Sequence, residues 1–376
     1  MRLAIVIVSY RVRYYLEQCI VSAERATEGI DRRIFVVDNH SDDGTVEYLA
    51  ERFGSRITLI EGNHNLGFSK ANNIAIRQSK SQYVLLLNPD TFVGEESLQE
   101  VLTFMDTHPR CGGCGVMMHN ADGTLARESR RGLPTPWVAL QKMAGRSDRY
   151  YMSHLPWDRP GQIEAMSGAF CMLRREALDK IGLLDEDFFM YGEDIDLSYR
   201  LLKGGYENWY VPARIVHYKG ESTQKTSFRY VHVFYQAMLI FFRKHYSHVS
   251  RFVALPIKTG IYLRALLALL QTQYWNLRHS LGLVETGEEQ PEYVFVGSEK
   301  MLEECRLLAQ RKGLTATFAH DASALPPATT RLCIVYDTDT FSFSQIISLA
   351  ERNSPARIGT YSPQTNILIT PSEIIK

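Results

Sequence analysis

Between residues 3 and 90 the chain repeats one pattern: a short apolar run, a polar cluster, then a stretch of helical spacing. Leu3 to Val8, Arg33 to Val37, Ile57 to Ile60 and Tyr83 to Leu87 read as strands; Arg13 to Ala26, Thr45 to Phe53 and Lys70 to Ser79 read as helices. Near-continuous apolar strands alternating with helices predict an α/β fold, a Rossmann-like and mostly parallel sheet with helices on both faces. Ligands in such sheets gather beyond the carboxyl ends of the strands. The polar clusters fall there: Ser9-Tyr10, Asp38-Asn39 and Asn88-Pro89-Asp90.

The apolar run Leu3 to Val8 is too short for the core of a signal peptide, so a buried first strand is expected. Lys plus Arg and Asp plus Glu number 42 each. Without net charge there is no global field drawing the chain to nucleic acid, and an anionic ligand has to be held locally. The six cysteines include one C-x-x-C, Cys111 to Cys114, with no second pair to complete a zinc site. Reduced thiols in a cytoplasmic protein are the expectation.

Further along, Cys111 to His119 and Ile163 to Leu173 read as strands, and Arg174 to Ile181 and Asp194 to Lys203 as helices, the last closed by Gly204-Gly205. Residues 1–228 read as a first domain and 229–284 as a helical segment. Its most apolar part, Phe252 to Trp275, is interrupted by Lys258 and Arg264, short of the ~20 apolar residues a membrane-spanning helix needs. Two readings stay open: a helix on a membrane surface, with Lys258, Arg264 and Arg278 beside Leu, Tyr and Trp, or a helix packed on the protein itself. Glu285 to Pro291 reads as a linker. Residues 292–376 read as a small α/β module without a Gly-rich phosphate loop, whose role the sequence does not give.

Several polar segments carry the residue types of a nucleotide pocket. Asp38 is suited to accept hydrogen bonds from a base or a ribose, and equally to a turn before a helix. The segment Asn63 to Asn73 sets Asn65, Lys70 and Asn72 around Gly67, which permits close backbone approach; Ser69 is the expected cap of the next helix, whose N-terminus attracts phosphate. Asp90, delivered to the sheet edge behind Pro89, suits a hard divalent cation, Mg2+ or Mn2+, which takes one or two carboxylates and completes its shell with phosphate and water. Glu193, Asp194 and Asp196 stand at a helix start, where the dipole favours acids regardless of function, yet the aromatic run Phe188 to Tyr191 would set Asp194 at an apolar pocket as a general base. His217, with Lys219 near it, reads either as a satisfied core histidine or as a metal or phosphate contact.

In order and spacing, Val8-Ser9-Tyr10, Val36 to Gly44, Asn65 to Asn73, Leu87 to Asp90, Ser167 to Phe170, Phe189 to Asp196 and His217 to Ser222 together resemble family 2 of the inverting glycosyltransferases, with the GT-A fold, and within it the bacterial rhamnosyltransferase type. The resemblance spans about residues 1–245. It implies that Tyr10, Asp38 and Asn65 bind the nucleoside, with Ser9, Gly67, Lys70, Asn72 and Asn88 on the same side. It makes Asp90 the last acid of a D-x-D-like motif and a metal ligand, with His217 near metal and diphosphate, although Asn88 stands where some relatives carry Asp. Asp194 becomes the catalytic base, beside Glu193 on the acceptor side, and Gly168 and Ala169 leave space under the donor sugar. The implied reaction is one in-line displacement from a nucleoside-diphosphate sugar, dTDP-rhamnose or a UDP-sugar, onto a hydroxyl of a saccharide or lipid-linked acceptor in surface polysaccharide synthesis. The implied location is cytoplasmic, with the membrane surface as a further partner. A sugar-1-phosphate nucleotidyltransferase would show a Gly- and basic-rich loop where Ser9 to Arg13 stands. A catalytically inactive binding module would have lost Asp90 or Asp194.

Overall fold

A computed structural model describes residues 1–219, 228–247 and 291–376, with scattered positions between 255 and 278. The first four strands are β1 (Leu3–Ser9), β2 (Arg32–Asp38), β3 (Ile57–Glu61) and β4 (Tyr83–Leu87), all parallel, in the order β3-β2-β1-β4. Helices α1 (Arg13–Ala26), α2 (Thr45–Phe53) and α3 (Phe68–Gln78) connect them. Both faces of the sheet are covered, which is why its strands are apolar at successive positions. Leu3, Ile5 and Ile7 pack with Leu16 and Ile20 of α1, whereas Ala4, Val6 and Val8 pack with Ala71, Ala75 and Ile76 of α3.

Beyond Leu87 the chain adds β5 (Thr91–Val93), α4 (Ser97–Thr107), β6 (Cys111–His119), α5 (Pro136–Met143), β7 (Gly161–Ile163), β8 (Phe170–Arg174), α6 (Arg175–Ile181), α7 (Glu193–Lys203), β9 (Glu207–His217) and α8 (Phe228–His245). The sheet runs β3-β2-β1-β4-β8-β6-β9-β5, with β7 paired to β9. Here its direction changes, since β8 is antiparallel to both β4 and β6. That reversal brings separate segments to one edge: Asn88 N donates to Ala169 O at 3.0 Å, and Thr91 pairs with His217.

Three expectations need correction or restriction. Ile163 to Leu173 is not one strand, because the intervening Ser167-Gly168-Ala169 leaves the ladder and Gly168 N donates instead to the Asp194 carboxylate at 3.0 Å. Ser69 does not cap α3: the helix begins at Phe68 after Gly67, and the Ser69 side chain is buried within its first turn. Residues 285–290 of the expected linker, Gly220 to Ser222, and Phe252, Lys258, Arg264 and Trp275 lie outside the described residues. Among the described residues no helix is long and apolar enough to cross a membrane.

The last segment is a second sheet. β10 (Glu292–Val296), β11 (Ala316–Ala319), β12 (Leu332–Asp337), β13 (Arg357–Ser362), β14 (Ile367–Ile369) and β15 (Ile374–Ile375) lie in the order β11-β10-β12-β13-β14-β15, with helices α9 (Glu299–Lys312) and α10 (Phe343–Arg352) between strands. A shared core joins Val12, Tyr15, Phe92, Val216 and Tyr218 of the first unit to Val294, Ile334, Tyr336 and Phe343 of the second.

Candidate active site

Strand ends of the first sheet open into a cavity of about 590 Å³, within the range of small-molecule sites. Val8, Ser9, Tyr10, Asn39 and Asn65 line one end. Asn39, which follows β2, ties this end together. Its Nδ2 donates to Asn65 Oδ1 at 2.9 Å and to Gly67 O at 3.2 Å, and its Oδ1 accepts from Leu66 N at 2.8 Å. Asp38 lies buried behind it, bonded from Ser41 N at 2.7 Å; burial raises its carboxyl pKa against that bond. Gly67 has φ 79° and ψ 179°, a region that only glycine occupies readily. A side chain there would run into Phe189, with Cδ2 2.7 Å from the new Cβ, while Phe68 N donates to Phe189 O at 2.6 Å. The asparagine loop is thereby locked to the aromatic run before α7.

Of the nucleotide-side candidates, Ser9, Tyr10, Asn65 and Asn88 line the cavity; Asp38, Gly67, Lys70 and Asn72 do not. Helical periodicity is the reason for the last two. Lys70 points to solvent, and Asn72 is buried and donates to Phe68 O at 2.9 Å.

Asn88, Asp90 and His217 meet in the middle of the cavity. His217 Nε2 lies 3.2 Å from Asp90 Oδ1 and 3.4 Å from Asn88 Nδ2. The β5–β9 pairing sets this geometry, since Asp90 precedes β5 and His217 ends β9. Lys219 is already paired with Glu128 at 2.5 Å and also bonds Asn120, and its ammonium holds the Glu128 carboxyl below its ordinary range in spite of burial. Among the described residues no group of three or more His, Cys, Asp or Glu side chains is set to hold a metal.

The same cavity is lined by an acidic pair, Glu193 and Asp194, at the first turn of α7. Tyr191 (φ 68°) and Gly192 (φ 82°) both adopt left-handed backbone and turn the aromatic run sharply into the helix. Asp194 is held by Arg131 at 2.5 Å, by Gly168 N at 3.0 Å and by its neighbour Ile195 N at 2.8 Å. Arg131 also donates to Met166 O. Burial works against the Arg131 charge, but the Asp194 carboxylate outweighs it and raises the guanidinium pKa. Glu193 is 6% exposed, and its Oε2 has no hydrogen-bond partner. Burial first, and the neighbouring Asp194 charge second, push its pKa up to about 8. At neutral pH Glu193 is therefore protonated, beside an Asp194 that is paired with Arg131. Gly168 faces both, its added Cβ lying 3.6 Å from Asp194 Oδ2 and from Glu193 Oε1.

Sequence reading found the Met190-Tyr191 end of the aromatic run in the apolar far wall but missed Arg131, Tyr150, Glu128, Lys142 and the part of that wall that α8 supplies. That wall is apolar, built by Met190, Tyr191, Phe234, Ala237, Met238 and Phe241 with α5 residues opposite. Arg131 lies in an irregular stretch with no motif around it, although its antiparallel bridge to Ala165 fixes it beside Asp194.

The parallel half sheet β3-β2-β1-β4 continues into a mixed half carrying His217, and Asp90 and Asp194 line one cavity. Residues 4–182, just under half of the chain, match the family model described as "Glycosyl transferase family 2". An N-acetylglucosaminyl-diphospho-decaprenol L-rhamnosyltransferase of Mycobacterium tuberculosis is 28% identical over 313 residues, 75% of this chain and 98% of that protein. A rhamnosyltransferase of Escherichia coli is 23% identical over 57% of this chain and 82% of its own length. Among solved structures, a mannosyltransferase from Pyrobaculum calidifontis in complex with GDP-Man and Mn2+ superposes with a TM-score of 0.46 at 17% identity, covering 83% of this chain and 79% of that one.

Proposed function

We propose that the enzyme transfers a sugar, with inversion, from a nucleoside-diphosphate sugar to a hydroxyl of a lipid-linked saccharide. One observation carries the reading: Asp90 with His217, and Asp194 with Arg131, line a single cavity. The nucleoside belongs at the Ser9, Tyr10 and Asn65 end, with Asp38 behind it. Asp90 and His217 would hold Mg2+ or Mn2+; a buried carboxylate 3.2 Å from an imidazole fits a cation that completes its shell with phosphate and water. The bound cation supplies positive charge that stabilises the departing diphosphate. Asp194 accepts the acceptor's proton while the acceptor oxygen bonds to the anomeric carbon, and the bond to phosphate breaks with its electron pair leaving on the nucleoside diphosphate. Arg131 and Gly168 N hold the Asp194 carboxylate in place. Protonated Glu193 donates a hydrogen bond to a sugar oxygen. The family match argues against a nucleotidyltransferase.

A lipid-linked acceptor agrees with the apolar wall between α5 and α8 and with the decaprenol-linked acceptor in the name of the mycobacterial relative. Leu263, Leu266, Leu267, Leu270, Tyr274 and Leu277 are each more than half exposed, with Trp137 61% exposed, which suits the segment 229–284 to a membrane surface. On this reading residues 1–228 are the catalytic domain and 292–376 a supporting one. Surface polysaccharide synthesis is the setting and dTDP-rhamnose the first donor to try.

The test is transfer of labelled sugar from dTDP-rhamnose and UDP-sugars to a lipid-diphosphate-linked N-acetylglucosamine, with and without Mn2+. Asp194→Asn should cut transfer by roughly 10²- to 10⁴-fold while nucleotide binding stays. Asp90→Ala should abolish the Mn2+-dependent thermal stabilisation by dTDP or UDP. Full transfer by Asp194→Asn would overturn the assignment of the base.

A further inference from the structure

The β5–β9 strand pair that carries Asp90 and His217 has two faces, and they are covered from different parts of the chain. One face of β5 packs on α1: Val93 N donates to Ser22 Oγ at 3.2 Å, and Thr91 lies beside Cys19. The other presents Phe92, Val216 and Tyr218, all buried, and the residues beyond 291 supply most of their cover. Phe92 packs against Phe343, the first residue of α10, at 5.2 Å between ring centroids, and against Tyr218 at 5.8 Å. Tyr218 meets Tyr15 edge-on at 5.2 Å, and the Tyr15 hydroxyl donates to Thr370 O at 2.6 Å. The ring chain therefore runs from the second sheet to the residues immediately after Asp90 and His217. Tyr218 also bonds Asp90 directly, its N donating to Asp90 O at 3.0 Å.

A polar clamp fixes the same contact. Glu95, five positions beyond Asp90, places both carboxylate oxygens on the first turn of α10, accepting from Phe343 N and Ser344 N at 2.8 Å each. An acid on a helix N-terminus satisfies orphan N–H groups and complements the helix dipole. Here the acid comes from the first sheet and the helix from the second. Glu95 N donates back to Ser344 Oγ at 2.9 Å, and Arg214 of β9 donates to Ser348 of α10 at 2.9 Å. Both segments of the β5–β9 pair are thus pinned to one helix of the second unit.

We infer that the C-terminal module is a positioning element for the diphosphate end of the site, with Phe343 and Glu95 holding the β5–β9 pair, and with it Asp90 and His217, in register. The inference rests on the proposed role of Asp90 and His217 and adds a function for residues 292–376. Residues that orient ligands from behind commonly change metal affinity by roughly 10- to 100-fold when altered.

The experiment uses the full chain and isothermal titration with two probes, thymidine or uridine alone and dTDP or UDP with Mn2+. Phe343→Ala is expected to weaken Mn2+-dependent diphosphate binding by at least about tenfold while leaving nucleoside binding unchanged, and Phe343→Leu is expected to restore most of the loss. Glu95→Gln, which keeps the side-chain shape, serves as a second variant and should lower diphosphate affinity in the same direction with the overall melt retained. A parallel loss of nucleoside and diphosphate binding in both variants would reduce the module to a general stabiliser and overturn the inference. Unchanged diphosphate binding in both folded variants would also overturn it. A wild-type chain whose dTDP and UDP binding ignores Mn2+ would instead sink the metal reading, and the inference with it.

Discussion

Replacing Glu193 by Gln tests whether the acid beside Asp194 on α7 is held neutral. The wild-type carboxyl is buried beside Asp194 and titrates near pH 8 instead of its ordinary 4.5. The folded chain therefore keeps a proton that the unfolded chain has released between those two values. Stability falls with pH wherever the folded state binds more protons, so the penalty is absent below about pH 4.5, grows through the window and is complete above about pH 8. One proton gives a slope of at most about 1.4 kcal/mol per pH unit, and sharing of charge with Asp194 lowers it, leaving about 2–4 kcal/mol between pH 5 and pH 8. Glutamine has the shape of the neutral acid and cannot ionise. Urea unfolding of both proteins at pH 5, 6, 7 and 8 isolates this group, since other titrations cancel in the difference. The variant should gain steadily on wild type across the series, and a protonated-carboxyl infrared band present at pH 7 in wild type should be missing. A stability difference that stays constant from pH 5 to pH 8 would refute the assignment of a neutral Glu193.

Two further substitutions probe the same cavity. Arg131→Gln leaves the Asp194 carboxylate buried without its counter-ion and should cost about 3–5 kcal/mol in unfolding free energy, together with most of the transfer activity, by chemical denaturation and transfer assay. Gly67→Ala forces a side chain into backbone that glycine alone adopts and against Phe189, and should cost about 1–3 kcal/mol; nucleotide affinity should fall while the acceptor KM holds, which steady-state kinetics would show.

The parallel half of the fold was legible because its signals are local. Apolar runs such as Tyr83 to Leu87 and the helix Arg13 to Ala26 sit where their period predicts. Legibility fell where strands pair antiparallel or break. Gly168 leaves the ladder for a carboxylate on a helix 26 residues away, and no periodicity encodes that choice. In the same way Asn88, Asp90 and Asp194 were found as polar interruptions at strand ends and at a helix start, whereas Arg131 was not. A lone arginine in an irregular stretch has no pattern, and its partner is 63 positions distant. Lys70 and Asn72 were carried along by their neighbours in a motif, yet a helix turns successive side chains away from any one cavity.

The bond between Tyr15 and Thr370 spans 355 positions of chain. A ribosome adds ~5–20 residues per second and lets early segments fold first. The parallel sheet can therefore assemble while Phe92 and Tyr218 still lack their cover. Several seconds of synthesis separate that partial enzyme from one whose β5–β9 pair is sealed. In that interval the nascent chain exposes a sticky aromatic face, so the order of translation makes this seam the place where chaperone binding and premature degradation would concentrate.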